Sequence, residues 1–217
     1  MTKLQKAKIE TGGLSNTSKM PCFSWGIHTR YCKRGKELQK DKSSICGSCY
    51  AMNGAYLWKP VDNAYTRRYL SCKNLPRHKW VDYMVTVMKS NSVKNKGYFR
   101  WFDSGDLQSV SMLEDIVSIC KKTPSIKHWL ATREYKIVAQ VHDIPSNLVI
   151  RQSHDKIDKL DRNNISEYVN QSVTISDRSI KLTKKQFNCP SLLQDGKCLD
   201  CRACWNSRVK TIAYIKH

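Results

Sequence analysis

The stretch Tyr98-Phe99-Arg100-Trp101-Phe102-Asp103-Ser104-Gly105-Asp106 predicts the fold class of this chain of 217 residues. Its first five residues are mostly aromatic and predict a short buried strand, and the four residues after them are polar or favour a turn. Similar apolar runs lie at 128–131, 148–150, 173–175 and 211–215, with helical apolar patterns between several of them. Short strands that alternate with amphipathic helices indicate βαβ units around a parallel sheet.

Two helical patterns support this assignment. After Pro76, apolar residues recur at helical spacing over residues 81–88, and a second apolar stripe over residues 113–120 stops before Pro124. Cys72 and Cys120 fall on the apolar faces of predicted helices. Since free cysteine is among the most buried residue types, we expect both in the core.

We therefore expect one α/β domain over residues 1–217, with a parallel sheet that is open or curled into a partial or complete (β/α) barrel. Residues 1–58 form an irregular, cysteine-containing segment, because Gly, Ser and Pro are frequent there and apolar periodicity is weak. Residues 59–188 form a βα-repeat core. Residues 189–217 contribute a cysteine cluster and the final strand.

Polar residues follow every predicted strand, and in parallel α/β folds the functional groups collect at the carboxyl ends of the strands. Asp103 and Asp106 follow one strand and Arg133 follows the next, so these three are the candidate catalytic residues. Ser104 and Gly105 between the two carboxylates are candidate cofactor contacts. The alternative is purely structural, with Asp106 or Ser109 as a helix cap, or an Asp–Arg pair that only ties two loops together. Lys216 and His217 follow the last strand.

The chain is strongly basic, with 38 Lys and Arg residues against 18 Asp and Glu residues and a net charge of +20. Such a charge predicts affinity for polyanions, with nucleic acid as the first candidate and a solvated basic surface as the alternative. Aromatic and basic residues interleave at 65–69 and 77–80, where they either stack on bases or form ordinary amphipathic helices. A host protein is a further candidate partner for the basic face.

Location and chemistry are limited by what the sequence lacks. Because no stretch approaches a membrane span and the first residues contain no apolar signal region, we expect a cytoplasmic protein without a membrane partner. No glycine-rich nucleotide fingerprint, P-loop, zinc-protease motif or nucleophile elbow is present. In a reducing compartment, the ten cysteines indicate metal binding rather than disulfides.

The C-terminal cysteines have the spacing C-x8-C-x2-C-x2-C and comprise Cys189, Cys198, Cys201 and Cys204. Three cysteines at successive x2 intervals let one loop present three thiolates to one centre, as in bacterial ferredoxins. This pattern favours a [4Fe–4S] cluster, with zinc as the alternative metal.

The N-terminal cysteines have the spacing C-x9-C-x13-C-x2-C and comprise Cys22, Cys32, Cys46 and Cys49. This spacing fits zinc as well as a cluster, and unligated thiols are the remaining alternative. Because few apolar residues surround these cysteines, we expect a second metal centre that holds the segment in place. We therefore expect one or two metal centres in this chain.

Several segments resemble the phage "gene product eighty-eight" family, from about residue 12 to the end of the chain. They are residues 17–22, 46–51, 99–109, 129–134 and 196–205. The resemblance implies a viral iron–sulfur protein that acts in a bacterial host cytoplasm.

A weaker similarity connects the chain with radical S-adenosylmethionine enzymes. Cys46 and Cys49, followed by Tyr-Ala, match the second half of their cysteine motif, although the usual C-x3-C-x2-C is absent. Residues 103–106 fall where such enzymes contact the methionine amino group. The similarity implies S-adenosylmethionine as a cofactor and redox or radical chemistry on a host or nucleic-acid target. The alternative is a non-enzymatic, metal-stapled protein that binds nucleic acid or a host protein.

Overall fold

The computed structural model describes residues 1–160, 169–184 and 186–216, so the predicted strand-end residue His217 lies outside the described residues. The helices are α1 (Lys3–Glu10), α2 (Arg34–Leu38), α3 (Lys59–Asn74), α4 (Arg77–Met88), α5 (Asn91–Lys94), α6 (Val110–Lys122) and α7 (Tyr135–Val138). The strands are β1 (Phe23–Trp25), β2 (Tyr98–Trp101), β3 (Lys127–Thr132), β4 (Leu148–Ile157), β5 (Asn170–Ile175), β6 (Gln186–Asn188) and β7 (Thr211–Ile215).

These strands form one parallel sheet in the order β1-β2-β3-β4-β5-β7-β6. Trp25, Trp101, Leu130 and Ile150 occupy one row across the first four strands. β1 and β6 lie at the two edges, so the described strands form an open sheet. The parallel α/β class predicted from the sequence is confirmed, in its partial, unclosed form.

Helices pack on one face of the sheet. Trp25, Trp101 and Leu130 lie in the same core cluster as Met84 of α4 and Leu113 of α6. The Ser109 hydroxyl caps α6 by accepting a hydrogen bond from the amide of Met112, which confirms the structural alternative for this residue. Cys120 is fully buried in this cluster, and Cys72 packs against it, as predicted.

Irregular chain covers the opposite face. Here Trp129 and Trp205 pack with Cys22, while Tyr98, Ala131, Cys204 and Tyr214 surround them. Residues 198–209, which we call the C-terminal cysteine loop, are anchored by the Trp205 indole, whose Nε1 donates to the Phe99 carbonyl at 2.8 Å. A parallel sheet needs both faces buried, and this loop contributes part of the second layer.

The N-terminal segment is less irregular than its composition predicts, because it contains α1 and β1. Helix α1 begins with a capping box in which Thr2 and Gln5 each accept a backbone hydrogen bond from the other. Only Ala7 of α1 is buried, which explains the weak apolar pattern.

The two interleaved aromatic and basic stretches are amphipathic helices, as their structural alternative predicts. Tyr65 and Trp80 are buried rather than available to bases. Arg68 is also buried, and its Nε donates to the Gly13 carbonyl at 3.0 Å. No helix in the described ranges is both long and apolar enough to cross a membrane.

Candidate functional site

The turn after β2 begins with strained backbone at Phe102. This bulky residue has φ 57°, in the left-handed region, and its amide donates to the Trp25 carbonyl at 2.7 Å. Such a conformation costs roughly 1–2 kcal/mol for a residue other than glycine. The turn brings the next residue, Asp103, into a buried position beside the end of β1.

Asp103 is held by two tyrosines from the segment between β1 and β2. Tyr65 donates its hydroxyl to Oδ2 at 2.9 Å, and Tyr50 donates to the Asp103 carbonyl at 2.7 Å. Within the described part of the chain, Oδ1 is buried and has no hydrogen-bond partner. It lies beside Gly26, where an added Cβ would come within 2.5 Å of it. A donor from a ligand would therefore satisfy an oxygen that the protein leaves without one.

Ser104 and Gly105 pack against the end of β1. The Ser104 carbonyl accepts a hydrogen bond from the Ile27 amide at 3.0 Å. Gly105 has φ +78°, and an added Cβ would lie 2.6 Å from the Ile27 carbonyl oxygen. This turn therefore joins two strand ends, and the cofactor contact predicted for both residues remains a prediction.

Asp106 ties the turn after β2 to the end of β3. Oδ1 accepts hydrogen bonds from the Leu107 amide and the Thr132 hydroxyl, and Oδ2 accepts from the Arg133 amide. Burial raises the pKa of Asp106 to about 6, although these hydrogen bonds oppose the shift. Asp106 and Arg133 are neighbours as expected, but the bond comes from the backbone of Arg133, whose Nε instead donates to the His154 carbonyl at 3.4 Å.

Three cysteines gather near Asp106 and form what we call the edge cysteine group: Cys32, Cys46 and Cys49. Burial raises the pKa of the Cys32 thiol, and the neighbouring Asp106, Cys49 and Cys46 raise it further. Burial also raises the pKa of Cys46, while the positive charge of Arg133 opposes this shift. The positive charge of Arg133 thus favours the thiolate form of Cys46, although the effect of burial is larger.

Contacts with β4 place the edge cysteine group at the carboxyl edge of the sheet. The Ile45 amide donates to the Asp155 carbonyl at 2.9 Å, and Arg34 forms an ion pair with the Asp155 side chain. Gly35 leaves room for the thiols, because an added Cβ would lie 3.0 Å from Cβ of Cys32 and 3.8 Å from Sγ of Cys46.

Cys22 lies with the C-terminal cysteines rather than with the other N-terminal ones. Burial raises its pKa to about 12, with Arg100 opposing the shift and Cys198 adding to it. The Cys198 amide also donates to the Lys19 carbonyl at 3.0 Å. The resulting set, which we call the face cysteine group, comprises Cys22, Cys189, Cys198, Cys201 and Cys204.

Arg151 organises the C-terminal cysteine loop, which carries three cysteines of this group: Cys198, Cys201 and Cys204. It is fully buried, and its guanidinium donates to four carbonyl oxygens of the loop at 2.9–3.0 Å: those of Ala203, Cys204, Asn206 and Val209. Burial lowers the pKa of Arg151, and none of the described carboxylates forms an ion pair with it. A buried cation without an anionic partner is costly, so an anion at the adjacent thiols would offset its charge.

Arg100 is a second cation beside the face cysteine group. Its guanidinium lies 4.6 Å from the centre of the Trp129 ring and donates to Sδ of Met20 at 3.2 Å. Sequence reasoning missed both arginines as site residues. The sequence feature that could have identified them is a charged side chain within or directly after an apolar strand, as Arg151 follows Leu148–Ile150.

Both groups have the donor chemistry that soft metal centres require, since thiolates bind zinc and iron–sulfur clusters. The nearby arginines match the negative charge of a metal–thiolate centre. In residues 1–160, 169–184 and 186–216, no group of three or more His, Cys, Asp or Glu side chains has the arrangement of a metal-ion site. The raised thiol pKa values mean that a metal would have to displace protons on binding.

The fold and these groups define a parallel α/β protein with cysteine-rich loops at one edge and on one face of its sheet. The chain belongs to the gene product 88 family, whose family model matches residues 2–207. This match confirms the phage protein family expected from the sequence motifs. No curated protein and no solved structure matches the chain.

Proposed function

We propose that this protein is an iron–sulfur protein with two centres, one in each cysteine group. Cys32, Cys46 and Cys49 would hold the centre at the carboxyl edge, and four cysteines of the face group would hold the other: Cys189, Cys198, Cys201 and Cys204. The observation that carries the proposal is that eight separated cysteines gather into two groups beside positively charged side chains.

A structural role of the face centre follows from its position. The C-terminal cysteine loop has one short helical turn, Ala203–Trp205, and covers a sheet face. Ligation would supply folding energy that such a loop cannot obtain from regular secondary structure. Arg151 and Arg100 would balance the charge of the centre.

The edge centre would have three cysteine ligands rather than four, because Cys22 lies in the face cysteine group. In a [4Fe–4S] cluster, three protein thiolates leave one iron open to a small molecule. S-adenosylmethionine is the ligand implied by the resemblance, and a reduced cluster would supply it with one electron. Asp103 would accept a hydrogen bond from the bound molecule through Oδ1, and Arg133 would stabilise negative charge beside Cys46.

Metal analysis after anaerobic purification tests the two centres. Two [4Fe–4S] clusters correspond to about eight irons and eight sulfides per chain, whereas about four would leave one centre. Cys201→Ser and Cys46→Ser should each remove about half of the iron, and Cys72→Ser, in the core, should remove none. Stoichiometric zinc without iron would contradict the proposal and favour structural zinc sites.

A second assay tests the open coordination position. The reduced protein is incubated with S-adenosylmethionine, and the products are analysed for 5′-deoxyadenosine. We expect formation of this product with the wild type and with Cys201→Ser, but not with Cys46→Ser. If a fully loaded protein forms none, the edge centre is not of the radical type, and the non-enzymatic, metal-stapled alternative is favoured.

A further inference from the structure

A cleft of about 860 Å³ lies at the amino ends of β2 and β3. Asp103 and the edge cysteine group lie at the opposite, carboxyl ends of the strands. Tyr98 and Lys127, at the amino ends of β2 and β3, line it together with residues of the C-terminal cysteine loop. Phe187 of the edge strand β6 also lines the cleft. The volume is within the range of roughly 300–1,000 Å³ that small-molecule sites occupy, so the cleft has room for nucleotide-sized groups.

The charge in this cleft is of one sign. Its lining contains Lys127, Arg202 and Arg208, and no Asp or Glu is among the described residues that form it. Lys127 and Arg208 are exposed. Three cations in a lining without carboxylates produce a local positive potential on a chain that already has a net charge of +20.

Aromatic surface accompanies these cations. Nζ of Lys127 lies 5.9 Å and Cζ of Arg202 lies 5.2 Å from the centre of the Tyr98 ring. Trp205 supports Tyr98 in an edge-to-face contact with ring centres 5.4 Å apart. Phe187 belongs to the same lining and is 37% exposed, so part of its apolar surface faces solvent.

We propose that this cleft binds single-stranded nucleic acid, with phosphates beside Lys127, Arg202 and Arg208 and a base stacked on Phe187. A basic groove with aromatic platforms is the arrangement that proteins use for single strands without strong sequence preference. A duplex keeps its bases stacked inside and offers no free base to Phe187. The Asp and Glu side chains of an acidic peptide would use the cations but have no ring that could stack on Phe187.

The test measures fluorescence anisotropy of a labelled oligothymidylate of about twelve nucleotides with the full chain. The variant Lys127→Ala/Arg208→Ala should weaken binding about tenfold or more. It should also reduce the slope of log affinity against log salt by about 1.4, from two phosphate contacts at about 0.7 each. The control Lys8→Ala/Lys79→Ala removes the same charge from exposed positions of α1 and α4 and should weaken binding by less than about twofold.

Phe187 separates stacking from charge. Phe187→Ala should weaken binding at least about fivefold without changing the salt slope, whereas Phe187→Tyr should retain it. Leu57→Ala, at another exposed apolar residue, is the control. The proposed site would be overturned if Lys127→Ala/Arg208→Ala and Lys8→Ala/Lys79→Ala lost the same affinity. It would also be overturned if the wild type did not bind the oligonucleotide at low salt. Competition by duplex DNA or polyglutamate as strong as by the single strand would overturn the assignment of the ligand.

Discussion

His128 shows how a buried polar side chain makes stability depend on pH. Trp101 donates its indole N–H to Nδ1 at 3.3 Å, and Nε2 lies 3.0 Å from the Thr123 hydroxyl. That hydroxyl donates to the Ile119 carbonyl at 2.7 Å. Because Trp101 can only donate, Nδ1 is unprotonated and Nε2 donates to Thr123, so the network requires a neutral ring.

Burial lowers the pKa of His128 to about 3. The unfolded chain, with a pKa of about 6.5, therefore binds a proton first as the pH falls. The contribution of the neutral ring is fully present above about pH 6.5 and decreases by up to about 1.4 kcal/mol per pH unit towards pH 3. Urea unfolding at about pH 7.5 and about pH 5 should show this loss, and His128→Asn should reduce the difference. The exposed His78→Asn should not reduce it, and an unchanged difference in His128→Asn would contradict the assignment.

Gly105 and Gly13 form a matched pair of glycines. Their φ values are +78° and +77°. A Cβ added at Gly105 would lie 2.6 Å from the Ile27 carbonyl oxygen, whereas no atom lies within 4 Å of a Cβ added at Gly13. Gly13→Ala should cost about 1–2 kcal/mol from backbone strain alone. Gly105→Ala should cost at least about 2 kcal/mol more, because its Cβ would collide with the Ile27 backbone. Denaturant unfolding measures both costs. Equal values would show that the turn rearranges to accommodate the added Cβ, which would contradict this prediction.

At the scale of elements, the C-terminal cysteine loop depends on Arg151. Arg151→Met removes the donor for four loop carbonyls, and each buried group left unsatisfied costs about 1–3 kcal/mol. We expect a lower free energy of unfolding and faster proteolysis within residues 198–209. Arg178→Met, at an exposed position, should behave as the wild type. A loop that stays resistant to protease in Arg151→Met would show that other contacts hold it.

β2 and β4 could be predicted, because Tyr98–Trp101 is mostly aromatic and Leu148–Ile150 is a continuous apolar run. β1 and β6 could not, since each has three residues and β6 contains two amides, Gln186 and Asn188. The position of Cys22 was also beyond sequence reasoning. Spacing along the chain favours Cys32 as its partner, whereas Cys22 comes near Cys198 only when the C-terminal cysteine loop folds over the sheet.

For the whole molecule, the two proposed centres differ in how much structure depends on them. The face cysteine group lies in the layer that covers the sheet, and the edge cysteine group lies in loops at its carboxyl edge. Cys201→Ser should therefore lower the melting temperature by several degrees more than Cys46→Ser, and a chelator should shift the wild type towards the Cys201→Ser value. Differential scanning fluorimetry provides the comparison. Equal shifts in the two variants would contradict the distinct roles.

The loop that covers the second sheet face also has a consequence for synthesis on the ribosome. Trp129 leaves the ribosome roughly seventy-five residues before Trp205, the residue that packs on it. At 5–20 residues per second, this delay lasts roughly 4–15 s. During that time the helices on the other face can already pack, while Trp129 and its neighbours remain exposed to solvent. We therefore expect the nascent chain to be prone to aggregation in this interval. Slower translation initiation would place ribosomes further apart on the messenger RNA and keep such nascent chains separate, so it should raise the yield of folded protein.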